Sequence, residues 1–353
     1  MNESLLGQLL DLHAFDGSPL AVDMPAFHVP YDDQGRTGTE GAVVRAAASA
    51  ERLGLQGPIG CGKTSLLRYA LDGPDSEIAP IWVSVAFDDD RVILDVRRFA
   101  AHVTQSIVRD ARRAGTLTAR ERDTILTATA ARRPLPGRER RLGAKLGARF
   151  WITGGDLVRD ITTTLDGVDL ARPATEVLDN VNRALDAIAE SGSQPVIVID
   201  DSDSFTRHRG SRASRDELVA GFFGPVLRAM TSLNAGVILA IHDDYLQMDA
   251  FVRARSEHGA LERLLPVPQV VSGQLARIID RRVRLATGAS GSDAMTEVAL
   301  STLAEVNRGR ANRNLRTTLG IAHAALAAAV DRGSTVIEEQ DVDRATVEQI
   351  GAR

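Results

Sequence analysis

The run Gly57-Pro58-Ile59-Gly60-Cys61-Gly62-Lys63-Thr64 constrains this chain more than any other stretch. A glycine, four residues, then Gly-Lys-Thr is the spacing of a loop that wraps around phosphate oxygens. Glycines let the backbone come close and present its amide N–H groups. Leu53-Gly54-Leu55-Gln56 in front reads as a short strand, and Thr64-Ser65-Leu66-Leu67-Arg68-Tyr69 behind reads as the start of a helix, whose positive end favours anions. Gly57, Pro58, Ile59, Gly60, Cys61, Gly62, Lys63, Thr64 and Ser65 are therefore the candidate phosphate-binding residues. Lys63 suits the β- and γ-phosphates of a nucleotide, and Thr64 suits Mg²⁺ through its hydroxyl. The plain alternative is an ordinary glycine turn with a solvated lysine. Composition argues against it. Of 42 basic residues in 353, only Lys63 and Lys145 are lysines. The planar fork of arginine does not replace a compact ammonium there.

The same bias strips most single arginines of meaning, because an alanine- and arginine-rich chain carries them everywhere. Their distribution is informative. From Arg97 to Arg149 there are 14 basic and 4 acidic residues, a local net of +10 in a chain of net charge −5. Such a patch attracts nucleic acid or an acidic protein surface, or is a solvated helical face. One cysteine, Cys61, excludes an internal disulfide framework and a cysteine-rich zinc site. No apolar run reaches membrane-spanning length, and Met1-Asn2-Glu3-Ser4 lacks the basic start of a secretory signal. A cytoplasmic protein without a membrane association is expected.

Patterning predicts strands separated by helices, hence an α/β parallel sheet. Strands are expected at Leu53–Gln56, Ile81–Phe87, Val196–Ile199 and Gly236–Ile241. The last two are unbroken apolar runs, as suits strands covered on both faces. Helices are expected over Leu5–Leu12, Glu40–Arg52, Arg98–Ala114, roughly 118–131, 138–150 and 174–190, and throughout the chain after 273. Leu5, Leu6, Leu9 and Leu10 lie at four-residue steps and mark a docking face.

The second polar constellation is Pro195-Val196-Ile197-Val198-Ile199-Asp200-Asp201-Ser202-Asp203. Carboxylates at the end of a buried strand suit a Walker B segment. Asp200 is the candidate for organising Mg²⁺ with Thr64, and Asp201 for polarising an attacking water. Asp203 is a reserve or a cap. Ala240-Ile241-His242-Asp243-Asp244-Tyr245 ends the next strand. His242 is placed to sense a γ-phosphate or orient water, or is a satisfied structural histidine.

Together these segments resemble the P-loop ATPases of the AAA+ and STAND groupings, nearest to the origin-recognition/Cdc6-like branch, with a strand end similar to KAP-type NTPases. The resemblance spans roughly 50–350. It implies a P-loop NTPase with a central parallel sheet, an enlarged helical insertion at about 98–190 and a C-terminal helical lid. It divides the chain into an N-terminal extension or docking segment (1–50), an ATPase core (51–272) and the lid (273–353). It implies ATP rather than GTP, with Mg²⁺. In the lid, Arg308-Gly309-Arg310-Ala311-Asn312-Arg313-Asn314-Leu315-Arg316 resembles the sensor-2 turn. Asn312 stands where an arginine is usual, so Arg310, Arg313 or Arg316 would compensate, with Arg313 first and Arg316 second as the candidates to contact phosphate from one helix face. Arg263 is the nearest match to an intersubunit arginine finger. The function so implied is an ATP-hydrolysing switch, read by a protein partner or by a second copy in a homo-oligomer. The alternatives are a hydrolysis-poor nucleotide-binding module, a DNA-associated ATPase of replication, transposition or anti-phage defence using the 97–149 region, and a small-molecule kinase.

Overall fold

A computed structural model describes residues 4–17, 24–31, 38–73, 77–85, 91–114, 173–200, 202 and 212–351. Asp201, Asp203 and the helices expected at 118–131 and 138–150 lie outside the described residues. The chain divides into two compact units. The first draws on Met1–Val44, Leu55–Pro74 and Leu265–Arg353, the second on Arg45–Gly54 and Asp75–Leu264. In chain order the elements are α1 (Leu5–Asp11), α2 (Met24–Phe27), α3 (Thr39–Ala48), β1 (Arg52–Gln56), α4 (Lys63–Leu71), β2 (Ile78–Ser84), α5 (Arg91–Leu94), α6 (Val96–Ala114), α7 (Ala174–Glu190), β3 (Gln194–Asp200), α8 (Arg212–Gly221), a π-helical turn (Phe222–Val226), α9 (Leu227–Met230), β4 (Gly236–Ile241), a 3-10 turn (Asp243–Gln247), α10 (Asp249–His258), β5 (Arg263–Pro266), α11 (Ser272–Thr287), α12 (Gly291–Ala294), α13 (Glu297–Arg308), α14 (Leu315–Asp331) and α15 (Glu339–Ile350).

The sheet has the order β2-β3-β4-β1-β5, with β2 parallel to β3 and β3 parallel to β4. The chain passes between the two units within α3, within β1, after α4 and within β5. The strand expected at Ile81–Phe87 begins three residues earlier, at Ile78. Pro80 is accommodated within it because β2 is an edge strand, where a missing N–H costs no ladder bond. The fifth strand was not anticipated, because Arg263–Pro266 is short, charged and ends in proline. The helix expected to reach Arg52 stops at Ala48, and Ala50 turns left-handed at φ 54 before β1.

The second unit has its own core. Val196, Val198, Ile197 and Ile199 of β3 and all six residues of β4 are buried, as their unbroken apolar runs predict. Val177, Val181, Ala184 and Ile188 form the inward stripe of α7, and Phe99, Val103 and Ile107 that of α6. A separate core fills the first unit. Leu275, Ile279 and Val283 of α11 meet Leu303 of α13, Ile321, Ala325 and Leu326 of α14, and Val342 of α15. Leu6 and Leu9 of α1 are buried in that same core, behind an N-cap in which the Ser4 hydroxyl accepts from Gly7 N–H. No described helix is long and apolar enough to cross a membrane.

Candidate functional site

The phosphate-loop residues lie in the first unit, between the end of β1 and the start of α4. Gly60 (φ 74) and Gly62 (φ 103) are left-handed. Glycine is required twice over at Gly60, because a Cβ there would run into the Asn314 side-chain amide. A Cβ at Gly57 would stand 2.7 Å from Cys61 Sγ, so the buried cysteine fills the space that this glycine leaves. Gly62 is the N-cap of α4 without a side-chain cap, which leaves the first-turn amides of Lys63, Thr64 and Ser65 oriented as an anion site.

The carbonyls of the loop are held from several sides. Lys63 Nζ donates to Gly57 O at 2.7 Å and to Pro58 O at 2.9 Å. The Arg316 amide donates to Gly60 O at 3.2 Å. The Tyr31 hydroxyl donates to Cys61 O at 3.0 Å. Leu66 N–H closes the series on Gly62 O at 2.9 Å, as the first turn of α4.

Two of these contacts come from segments remote from the loop in sequence. One is the lid turn. Asn312 (φ 47) and Arg313 (φ 59) are both left-handed, and Arg313 N–H donates to Asn307 O at 2.7 Å. Asn314 then caps α14, its side-chain oxygen accepting from Thr317 N–H at 3.0 Å. Asn307 is buried and tied to the Thr318 hydroxyl at 2.8 Å and to Val270 O at 3.3 Å, which fixes the turn. Arg313 therefore precedes the helix instead of sharing a face with Arg316, because the αL pair ends helical periodicity at that point. Arg316 occupies the first turn of α14, and both side chains are exposed.

The other is the N-terminal strap around His28–Tyr31. His28 Nε2 and Glu40 Oε1 are 2.9 Å apart, and His28 Nδ1 lies 3.3 Å from Ser65 Oγ on α4. Glu40 Oε1 also accepts from Tyr31 N–H at 3.0 Å. The His28 ring leans on Tyr69 with centroids 4.6 Å apart. From α11, Gln274 donates to Val29 O at 3.2 Å and Arg277 to Pro30 O at 3.2 Å. Burial alone would raise the Glu40 carboxyl, but hydrogen bonds from His28 and Tyr31 N–H, with the His28 charge, bring it below its ordinary value. Burial, with Cys61 and Glu40 nearby, pushes the Tyr31 phenol up, so it stays a donor. No motif marks His28, Tyr31 or Glu40. Their only sequence signal is a cluster of His, Tyr and Pro within a segment otherwise read as loop.

The acidic strand end belongs to the second unit. Asp200 ends β3, partly buried and opposite Ser84 of β2. The Ser202 hydroxyl donates to Ala240 O, and the Tyr245 hydroxyl donates to Ser202 O, so the ends of β3 and β4 are pinned together. His242 follows β4 and caps the 3-10 turn, its Nδ1 accepting from Asp244 N–H at 3.0 Å. That bond leaves the proton of the neutral ring on Nε2. The His242 ring is buried and the Asp244 side chain is largely exposed. No group of three or more His, Cys, Asp or Glu converges among the described residues.

Other arginines singled out from sequence are engaged locally. Arg263 forks onto Glu51 at 2.7 and 3.0 Å. In the described part of the basic run, Arg97 pairs with Asp95 at 2.9 Å and Arg109 with Asp110 at 2.7 Å. Residues 115–149 of that run lie outside the described residues.

No protein-family model matches the chain, and no curated protein matches its sequence. Solved structures do match. The Aeropyrum pernix ORC2 protein, solved as ADPNP–ADP complexes, superposes with a TM-score of 0.52 at 15% identity, over 93% of this chain and 72% of that one. Cdc6p from Pyrobaculum aerophilum gives 0.50 at 14% identity, over 96% and 71%. The chain thus has the α/β fold of these proteins, with a central parallel sheet, helical insertions and a C-terminal helical region.

Proposed function

We propose that this chain is a nucleotide-dependent switch that binds ATP with Mg²⁺ and hydrolyses it to ADP and phosphate. The observation that carries the reading is the loop itself. Its two left-handed glycines and its donor-bound carbonyls lie beside a helix N-terminus without a side-chain cap and a lysine. That chemistry fits a polyphosphate.

In this reading Lys63 leaves Gly57 O and Pro58 O and binds the β- and γ-phosphate oxygens. Thr64 and Asp200 would hold Mg²⁺, which when bound would neutralise charge on those oxygens. Asp201 orients the attacking water, and His242 donates a hydrogen bond from Nε2. Arg313 and Arg316 offer charge from the lid turn. The lid registers the loop through the bond between Arg316 N–H and Gly60 O, so a change of loop conformation reaches α14 directly. A protein partner or a second copy would read that change.

Titration calorimetry with ATP, alongside phosphate release, tests the proposal on the full chain, Lys63→Ala and Asp201→Asn. The expected pattern is binding and turnover by the unmodified chain, weakened binding with loss of turnover in Lys63→Ala, and binding without turnover in Asp201→Asn. Absence of ATP binding overturns the reading. Tight binding with no phosphate release leaves a nucleotide-binding module and removes the enzyme.

A further inference from the structure

Four loop carbonyls are held by three kinds of donor, two of them remote in sequence. Lys63 serves Gly57 and Pro58, the α14 backbone serves Gly60, and Tyr31 serves Cys61. In a trans peptide the next N–H points opposite to the carbonyl. Holding Cys61 O therefore sets the heading of Gly62 N–H, the last loop amide before α4. Gly62 adopts φ 103, and a Cβ on it would stand 3.2 Å from the Tyr31 hydroxyl. The phenol thus sits on one side of this peptide, and the amide faces away from it.

Tyr31 is in turn held in place. Its own N–H is bound by Glu40, which also takes His28, and His28 reaches Ser65 on the first turn of α4. Glu40 and His28 are both buried. Gln274 and Arg277 hold the carbonyls of Val29 and Pro30. The strap is therefore bonded to the loop, to α4 and to α11.

We propose that Tyr31 is a positioning residue of the phosphate loop: its hydroxyl, set by the buried His28–Glu40 pair, aims Gly62 N–H at a bound polyphosphate. The inference rests on the loop being a nucleotide site. It adds a consequence by linkage. Anything that displaces the strap weakens phosphate binding, and a bound phosphate holds the strap by the same factor. The N-terminal segment is then a handle on nucleotide affinity.

Calorimetric titration of ATP into the full chain, Tyr31→Phe and Tyr69→Phe, with melting temperatures measured without nucleotide, tests this. Tyr31→Phe removes one hydroxyl and keeps the ring. Measured where both proteins are fully folded, it should weaken ATP binding about 3- to 10-fold, the worth of one hydrogen bond, and lower the unliganded melting temperature by a few degrees at most. Tyr69→Phe, whose ring packs on His28, should bind like the unmodified chain. Equal affinity of Tyr31→Phe and the unmodified chain overturns the proposal. So does a weakening seen only near the melting transition, where Tyr31→Phe is partly unfolded, which would make Tyr31 a structural residue only. If the unmodified chain does not bind ATP, the loop reading itself fails, and that result is distinct from either of the others.

Discussion

Two polar sites in this molecule are built on opposite principles. The phosphate loop of the first unit consists almost entirely of backbone, and its shape depends on donors from Lys63, Arg316, Tyr31 and the α4 turn. The acidic strand end of the second unit is a set of side chains on a buried strand, pinned by Ser202, Tyr245 and a cap at His242. A backbone site has conformation as its weak point, so it needs glycines and many remote tethers. A side-chain site needs only the right residues at the end of a rigid strand. Substitutions should therefore break the first through shape and the second through chemistry.

The largest contrast is expected between two left-handed glycines. Gly60→Ala forces both an unfavourable φ and a collision with Asn314, together about 2–4 kcal/mol, and should abolish nucleotide binding. Gly192→Ala, at φ 92 with open space around it in the second unit, should cost only the backbone preference, about 1–2 kcal/mol, and leave binding intact. Chemical denaturation and calorimetry on the two variants measure the difference. Equal effects on binding would mean that Gly60 is not a shape-determining position.

Acid should divide the two units next. Burial first, opposed by the hydrogen bond to Ser84 O and aided by Arg109, lowers His102 of α6 from 6.5 to about 4. The folded state thus binds this proton less readily than the unfolded one. Its contribution is complete above pH 6.5 and is lost as pH falls toward 4, on the order of 2–3 kcal/mol. Glu40 of the strap shifts down, so its contribution is complete above the ordinary carboxylate value and is lost as pH falls from there through its lowered one. Between pH 6.5 and 4 the second unit should therefore lose exchange protection before the strap does. His102→Gln should flatten that loss. An unchanged pH profile in that variant would assign the acid sensitivity elsewhere.

A smaller effect is expected at Ser202→Ala. Removing the buried donor to Ala240 O should cost about 1–2 kcal/mol of stability and leave ATP affinity unchanged, because the loop is not tethered through it. A loss of ATP affinity in that variant would show that the two sites depend on one another for binding.

Legibility followed the same division. Gly57–Thr64 was readable because each residue type answers to a local backbone requirement, and β3 and β4 because strands covered on both faces leave unbroken apolar runs. The lid turn was readable as a segment, but not the direction of Arg313, which two successive left-handed residues take out of the helix. β5 carries too little apolar pattern to announce a strand. The strap was not readable at all. Tyr31 and Cys61 are thirty residues apart, and a single hydroxyl-to-carbonyl bond leaves no periodicity in sequence.

The central claim is that the loop binds a nucleotide polyphosphate through Lys63, and titration of Mg-ATP into the full chain and Lys63→Ala tests it most directly. The account predicts saturable binding by the unmodified chain, weakened about 10- to 100-fold in Lys63→Ala, as the loss of a charge-assisted contact requires. Equal affinity in the two proteins, or none in either, would contradict it.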